Sequence, residues 1–221
     1  MKYYPVFLRV VGRPCVVIGG GSVAQHKVEA LMRAGAQVSV ISPTLTARLA
    51  ARAAARQIVH ERRCYAKGDL RGCVLAYAAT DDAHVQQQVA AEAREAGVLL
   101  NVVDRPDRSD FITPAIVERG DLVVAVSTGG ASPALAKRIR HDLEGTFGAE
   151  YEFALHLFRR LRTELTAQRR SPAERRRIFS ALANSALLDY LRLGQTQAVN
   201  RLLAETAGGG ISLTALGMEL N

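Results

Sequence analysis

The chain has 221 residues, 48% hydrophobic and 23% charged, an ordinary globular composition long enough to bury a core without covalent staples. Its three cysteines, Cys15, Cys64 and Cys73, form no CxxC pair and argue against a disulfide framework, and no apolar run reaches the length of a membrane span or a signal-peptide core. The net charge of +8 favours anionic ligands, but no zinc, helix-turn-helix or RNP signature accompanies it, so neither nucleic acid nor membrane is an expected partner of what reads as a cytoplasmic protein.

In chain order, Cys15–Ile18 is a short β-rich run that ends on Gly19-Gly20-Gly21. A helix follows, with Val23, Val28, Leu31 and Met32 on one face and Gly35 as its stop. Val38–Ile41 reads as a second strand, Thr44 to about Arg56 as an alanine-rich helix, and Ile58–Glu61 as a third strand. Val74–Ala78 and Val98–Val103 read as further strands, with a helix over Asp82–Ala96 between them. Strands alternating with helices at this spacing predict βαβ units and a parallel, Rossmann-like sheet over residues 1–112.

The pattern then changes. Phe111–Val117 and Leu122–Ser127 are joined by the short polar stretch Glu118-Arg119-Gly120-Asp121, which predicts antiparallel pairing. Beyond Pro133 the composition is helical, with segments near 133–145, 150–169, 173–192 and 196–206. Eight arginines between Arg159 and Arg177, against Glu164 and Glu174, read first as a solvated helical face. Gly208-Gly209-Gly210 opens a tail expected to be mobile. The predicted class is α/β: a Rossmann-like domain (1–112), a small α+β region (113–148), a helical domain (149–207) and a flexible tail (208–221).

Gly19-x-Gly21-x-x-Ala24 fits the dinucleotide fingerprint between a strand and a helix. Gly19 permits the tight turn, Gly21 clears the backbone for a pyrophosphate, and Ala24 lets helix and strand pack closely. Ser22 and Val23 open the helix whose free N–H groups would meet the phosphates. The second strand ends Ile41-Ser42-Pro43-Thr44, with neither the acidic residue that grips a ribose nor an arginine for a 2′-phosphate, so this position does not choose between NAD and NADP. The five histidines show no metal-ligand spacing, and no resident metal is expected.

Several ordered blocks now resemble one family. They are Gly19-Gly20-Gly21-Ser22-Val23-Ala24 with Lys27, Leu31 and Gly35-Ala36; Ala78-Ala79-Thr80-Asp81-Asp82; and Asn101-Val102-Val103-Asp104. Asp110-Phe111-Ile112-Thr113-Pro114-Ala115 and the run from Val124 to Ala136 follow. Order and spacing resemble the sirohaem synthase N-terminal module, the precorrin-2 dehydrogenase (sirohydrochlorin ferrochelatase) family, strongly over about residues 1–165.

The resemblance implies NAD as cofactor, oxidation of the tetrapyrrole precorrin-2 to sirohydrochlorin, and, as in many members, ferrous iron as a further substrate. It also implies a homodimer formed through the 113–148 region. No methyltransferase module, such as follows in larger members, is expected here. Asp104 corresponds to the family's proposed catalytic carboxylate, Pro43 and Thr44 to a cofactor-contacting stretch, and Thr80 to a position beside the same crevice. Arg105, Ser127, Thr128, Gly129, Lys137 and Arg138 are candidate contacts for an acidic substrate. Some relatives carry a regulatory serine where Thr128 stands, so phosphorylation is not carried over. Asp81 and Asp82 read better as helix caps than as catalysts. The competing reading is a non-catalytic NAD-sensing module, which has no need of a carboxylate such as Asp104 in the cleft.

Overall fold

The structure is a computed structural model that describes residues 2–220. The chain divides into two compact units, Met1–Thr113 and Pro114–Asn221.

The first unit is a five-stranded parallel sheet in the order β3-β2-β1-β4-β5. Its strands are β1 (Pro14–Ile18), β2 (Gln37–Ile41), β3 (Val59–Glu61), β4 (Leu75–Ala78) and β5 (Leu99–Val102). β1 and β4 are buried almost throughout, as a parallel sheet covered on both faces requires. Helices α1 (Ser22–Arg33) and α2 (Ala47–Ala54) accompany one face, whose core holds Val17, Val28, Leu31, Val40, Leu49 and Tyr77. Helix α3 (Ala83–Ala96) packs Val89 and Ala93 on the other face against Val16, Ala76 and Leu100, with Leu70 from the preceding loop. The strand order reverses between β1 and β4, the switch point at which open α/β sheets bind ligands.

Local chemistry sets the boundaries. Thr46 caps α2 by accepting from Leu49 N–H, so the helix expected from Thr44 begins at Ala47. Asp82 caps α3 by accepting from His84 and Val85 N–H at 2.9 and 3.1 Å, and Gly97 closes it in the left-handed region.

In the second unit β6 (Ala115–Arg119) and β7 (Leu122–Val126) pair antiparallel across a two-residue turn, in which Gly120 takes φ +56°. Helices α4 (Pro133–Thr146), α5 (Glu150–Ala167), α6 (Pro172–Ala183), α7 (Leu187–Arg192) and α8 (Thr196–Ala207) follow. Ser132 and Ser171 cap α4 and α6, the latter in a reciprocal capping box with Glu174. Leu157, Leu161, Leu165, Leu182, Leu187 and Leu203 are fully enclosed in the helical core.

Three expectations need correction. The strand expected to start at Phe111 starts at Ala115, because residues 109–113 turn back along β5. The helix expected over 173–192 is two helices. Asn184 Nδ2 and Ser185 Oγ bond back to the carbonyls of Ser180 and Leu182, competing with the helical ladder. The tail expected to be mobile over 208–221 is packed: Ile211, Leu213, Leu216 and Met218 are buried in the helical core, and Asn200 Oδ1 accepts from Leu213 N–H at 2.8 Å. Only Asn221 of that stretch lies outside the described residues.

Candidate functional site

The site is assembled where β1, β2, β4 and β5 end. After Ile18 the backbone enters a turn at Gly19 with φ +117°, a conformation that L side chains rarely adopt. A Cβ on Gly19 would lie 2.1 Å from the Ala79 carbonyl oxygen at the end of β4. A Cβ on Gly20 would lie 2.0 Å from the Thr44 carbonyl oxygen and 2.9 Å from Ser42 Oγ. The two glycines thus let the turn press against the chain leaving β2 and β4, which brings Pro43, Thr44 and Thr80 beside it. A Cβ on Gly21 would meet no atom within 4 Å. That is the open face of the turn.

Gly21 is also the N-cap of α1, with no side-chain capping bond and no acidic residue in the first turn. The first N–H groups of the helix therefore lack a side-chain partner, and the positive end of the helix dipole is uncompensated. Ala24, fully buried, sits where helix and sheet pack tightly, while Ser22 and Val23 are exposed at the helix start. A bare backbone, unshielded N–H donors and a positive dipole are what a pyrophosphate requires, so these residues fit a dinucleotide.

Thr80 closes the neighbouring edge. Its hydroxyl accepts from Asp82 N–H at 3.3 Å and its carbonyl from Gln86 Nε2 at 2.7 Å, so it is held through the cap of α3. Asp82 acts as that cap, and Asp81 is exposed.

Asp104 stands two residues past the end of β5, exposed, with φ +58°. Arg56 and Arg169 share that region of backbone space, but both follow directly on helix C-termini, where it is commonplace. Asp104 follows a strand. Outlying backbone conformations of this kind cluster at functional positions. Val103 N–H donates to the Ala78 carbonyl, which anchors the base of the Asp104 turn to β4.

The chain then turns back. Ser109 Oγ accepts from Val102 N–H, Asp110 Oδ2 accepts from Leu100 N–H, and Asn101 Nδ2 donates to the Phe111 carbonyl, all within 2.9 Å. Phe111 reaches the Tyr77 ring edge-on at 5.5 Å. Arg105, a candidate substrate contact, is paired with Asp107 at 3.0 and 3.1 Å.

The remaining candidates belong to the second unit and form their own group. Ser127 Oγ accepts from Gly129 N–H, and Thr128 Oγ1 both donates to the Ser132 carbonyl and accepts from its N–H, so the loop is organised from within. Lys137 is exposed, and Arg138 pairs with Asp142 at 2.9 Å. A cavity of about 460 Å³ in this unit, between the Gly120–Asp121 turn and Phe153, His156 and Arg159, contains none of the candidates. Among the described residues no group of three or more His, Cys, Asp or Glu could hold a metal ion, and no helix is long and apolar enough to cross a membrane.

Two contributors escaped the sequence reading. Gly20 is the most crowded glycine of the turn, yet its crowding comes from Thr44 and Leu45, which periodicity does not connect to it. Lys27 stood in a resembling block without a role. Its ammonium lies over the Tyr77 ring at 5.3 Å from the centroid and donates to Thr113 Oγ1 at 3.4 Å.

Sheet order and glycine turn define a class first: an NAD(P)-binding α/β protein of Rossmann type. A family described as Putative NAD(P)-binding matches residues 6–115, and one described as Sirohaem biosynthesis protein central matches residues 119–146. A siroheme synthase of Methylobacillus flagellatus is 38% identical over 95% of this chain and 45% of its own length. A siroheme synthase of Stutzerimonas stutzeri is 38% identical over 98% of this chain and 46% of its own. The chain thus spans about half the length of these curated relatives. The solved structure of SirC, precorrin-2 dehydrogenase, superimposes with a TM-score of 0.78 at 25% identity, over 93% of this chain and 99% of that one. The chain belongs to the sirohaem synthase and precorrin-2 dehydrogenase family, and its first unit is an NAD(P)-binding domain.

Proposed function

We propose that the chain oxidises precorrin-2 to sirohydrochlorin with NAD, and that Asp104 is its catalytic base. The observation that carries this reading is the Asp104 carboxylate, held in a left-handed turn past β5 at the carboxyl edge of the sheet that bears the glycine turn. Bound NAD would accept the hydride. The chain supplies the rest: Gly19, Gly21, Ser22, Val23 and Ala24 bind the pyrophosphate, Pro43, Thr44 and Thr80 border the adenosine side, and Asp104 takes the proton that leaves with the hydride. The same carboxylate serves ferrous iron insertion by accepting pyrrole protons, with iron as substrate.

Precorrin-2 carries many carboxylates; Arg105 of the first unit and, in the second unit, Lys137 and Arg138 with Ser127, Thr128 and Gly129 are each assigned as contacts for it. A homodimer through the 113–148 region agrees with apolar side chains left exposed there, Ile116, Val123 and Leu135.

Anaerobic incubation with precorrin-2 and NAD tests the reading, followed by NADH absorbance and then by addition of cobalt(II) or ferrous iron. Stoichiometric NADH, lost at least a hundredfold in Asp104→Asn, is expected. Nucleotide binding without NADH overturns the dehydrogenase and favours an NAD sensor. NADH without metal uptake removes only the chelatase.

A further inference from the structure

The mechanism assigns one ionisable side chain near the β5 edge and leaves a second, Lys27, unused. Lys27 is half-buried on the second turn of α1 and bonds to Thr113, 86 positions later. Tyr77, beneath the ammonium, is itself bonded to Thr113 Oγ1 at 3.3 Å. Thr113 ends the return segment that begins at Asp104 and is stitched to β5 through Ser109, Asp110 and Phe111. Lys27 and Tyr77 therefore grip the far end of the loop whose near end carries the base.

Resting on the reading of Asp104 as that base, we propose that Lys27 is a positioning residue of the site: bonded to Thr113 and seated on Tyr77, it pins the 104–113 loop that carries Asp104. Burial pushes the Lys27 ammonium down from the usual lysine range, and the Asp104 carboxylate opposes that shift.

Other charges nearby are already engaged. Glu29 of α1 pairs with Arg48 at 2.7 Å, Arg105 and Arg108 face Asp107, and Asp110 accepts from the β5 backbone. Burial pushes the Tyr77 phenol up, so it stays neutral at working pH. His26, exposed beside Lys27, is the remaining titratable neighbour on that turn of α1.

The test has two arms. The first measures kcat for NADH formation and NAD affinity in wild type, Lys27→Met, Lys27→Arg and a His26→Gln control. Lys27→Met is expected to lower kcat roughly tenfold, because the loop that carries the base is no longer held in place. NAD affinity should stay within about twofold, and Lys27→Arg should restore the rate. The second arm needs no substrate: NMR titration of the Lys27 side chain in wild type and Asp104→Asn, where the midpoint should fall. An unchanged kcat in Lys27→Met, a loss that Lys27→Arg does not restore, or a loss matched by weaker NAD binding overturns the proposal. So does a Lys27 titration that ignores Asp104→Asn, or a kcat loss that His26→Gln reproduces. If the wild type forms no NADH, the functional reading fails while the NMR arm still decides the coupling.

Discussion

Glu92 lies buried on α3 and spends its charge on the chain that precedes β4. Its carboxylate accepts from Tyr65 OH, from Gly68 N–H at 2.9 Å and from Leu70 N–H at 2.9 Å, fixing that loop against the sheet. Burial acts to raise its pKa, but the Tyr65 hydroxyl and the two N–H donors outweigh burial and hold it below the usual range. A depressed pKa stabilises the fold above the unfolded value, about 4.3, and that contribution disappears as pH falls through the folded value. Glu92→Ala should therefore cost about 2–3 kcal/mol at pH 7, read by urea unfolding, with the gap to wild type closing below about pH 4. Glu150 behaves alike in the second unit: burial raises its pKa, but Arg192, bonded at 2.7 and 3.0 Å, brings it below the ordinary range. Arg192→Met leaves a buried carboxylate unpaired, so its melting temperature should fall at pH 7 and recover relative to wild type as acid protonates Glu150. Neither glutamate stands out in the sequence, because an acidic residue on an amphipathic helix has the same pattern whether solvent or a distant N–H receives it.

The turn from β1 into α1 separates folding from binding within three residues. Gly20→Ala forces a Cβ onto the Thr44 carbonyl and should lower the melting temperature, because backbone must move. Gly21→Ala meets open space at an ordinary φ of −79°, so melting should stay within a degree or two. NAD affinity should nonetheless fall by about tenfold or more, since the methyl occupies the phosphate approach. Equal affinity in Gly21→Ala, measured by calorimetry, would remove the pyrophosphate from this turn. Gly19 and Gly21 were legible because strand, spacing and helix sit on one continuous stretch. Gly20, Lys27 and Thr113 were not, since their partners arrive from the loop between β2 and α2, from β4 and from the return of the chain along β5. The break between α6 and α7 was likewise hidden, with neither proline nor glycine to mark it.

Across the whole molecule, the C-terminal segment decides the second unit's stability. Burying Ile211, Leu213, Leu216 and Met218 contributes about 1.5–3 kcal/mol per side chain as an upper figure, so a chain ending at Ala207 should lose the cooperative unfolding of this unit by calorimetry. If the exposed Ile116 and Val123 seat a second copy, Ile116→Asp should shift the mass seen by light scattering from dimer to monomer. The arginine run resolves into particular contacts, with Arg162 over the Phe179 ring, Arg175 on Thr166 and Arg170 facing Glu174. The sequence by itself determined the alternation of strands and helices, the glycine turn and the change of architecture near residue 112, because local periodicity and turn chemistry write those directly. Only the tertiary structure decided that the glycine-led tail is core, that residues 109–113 fold back on β5, and that Lys27 meets Thr113. Each of these rests on contacts between residues far apart in the chain, whose free energy no local pattern records.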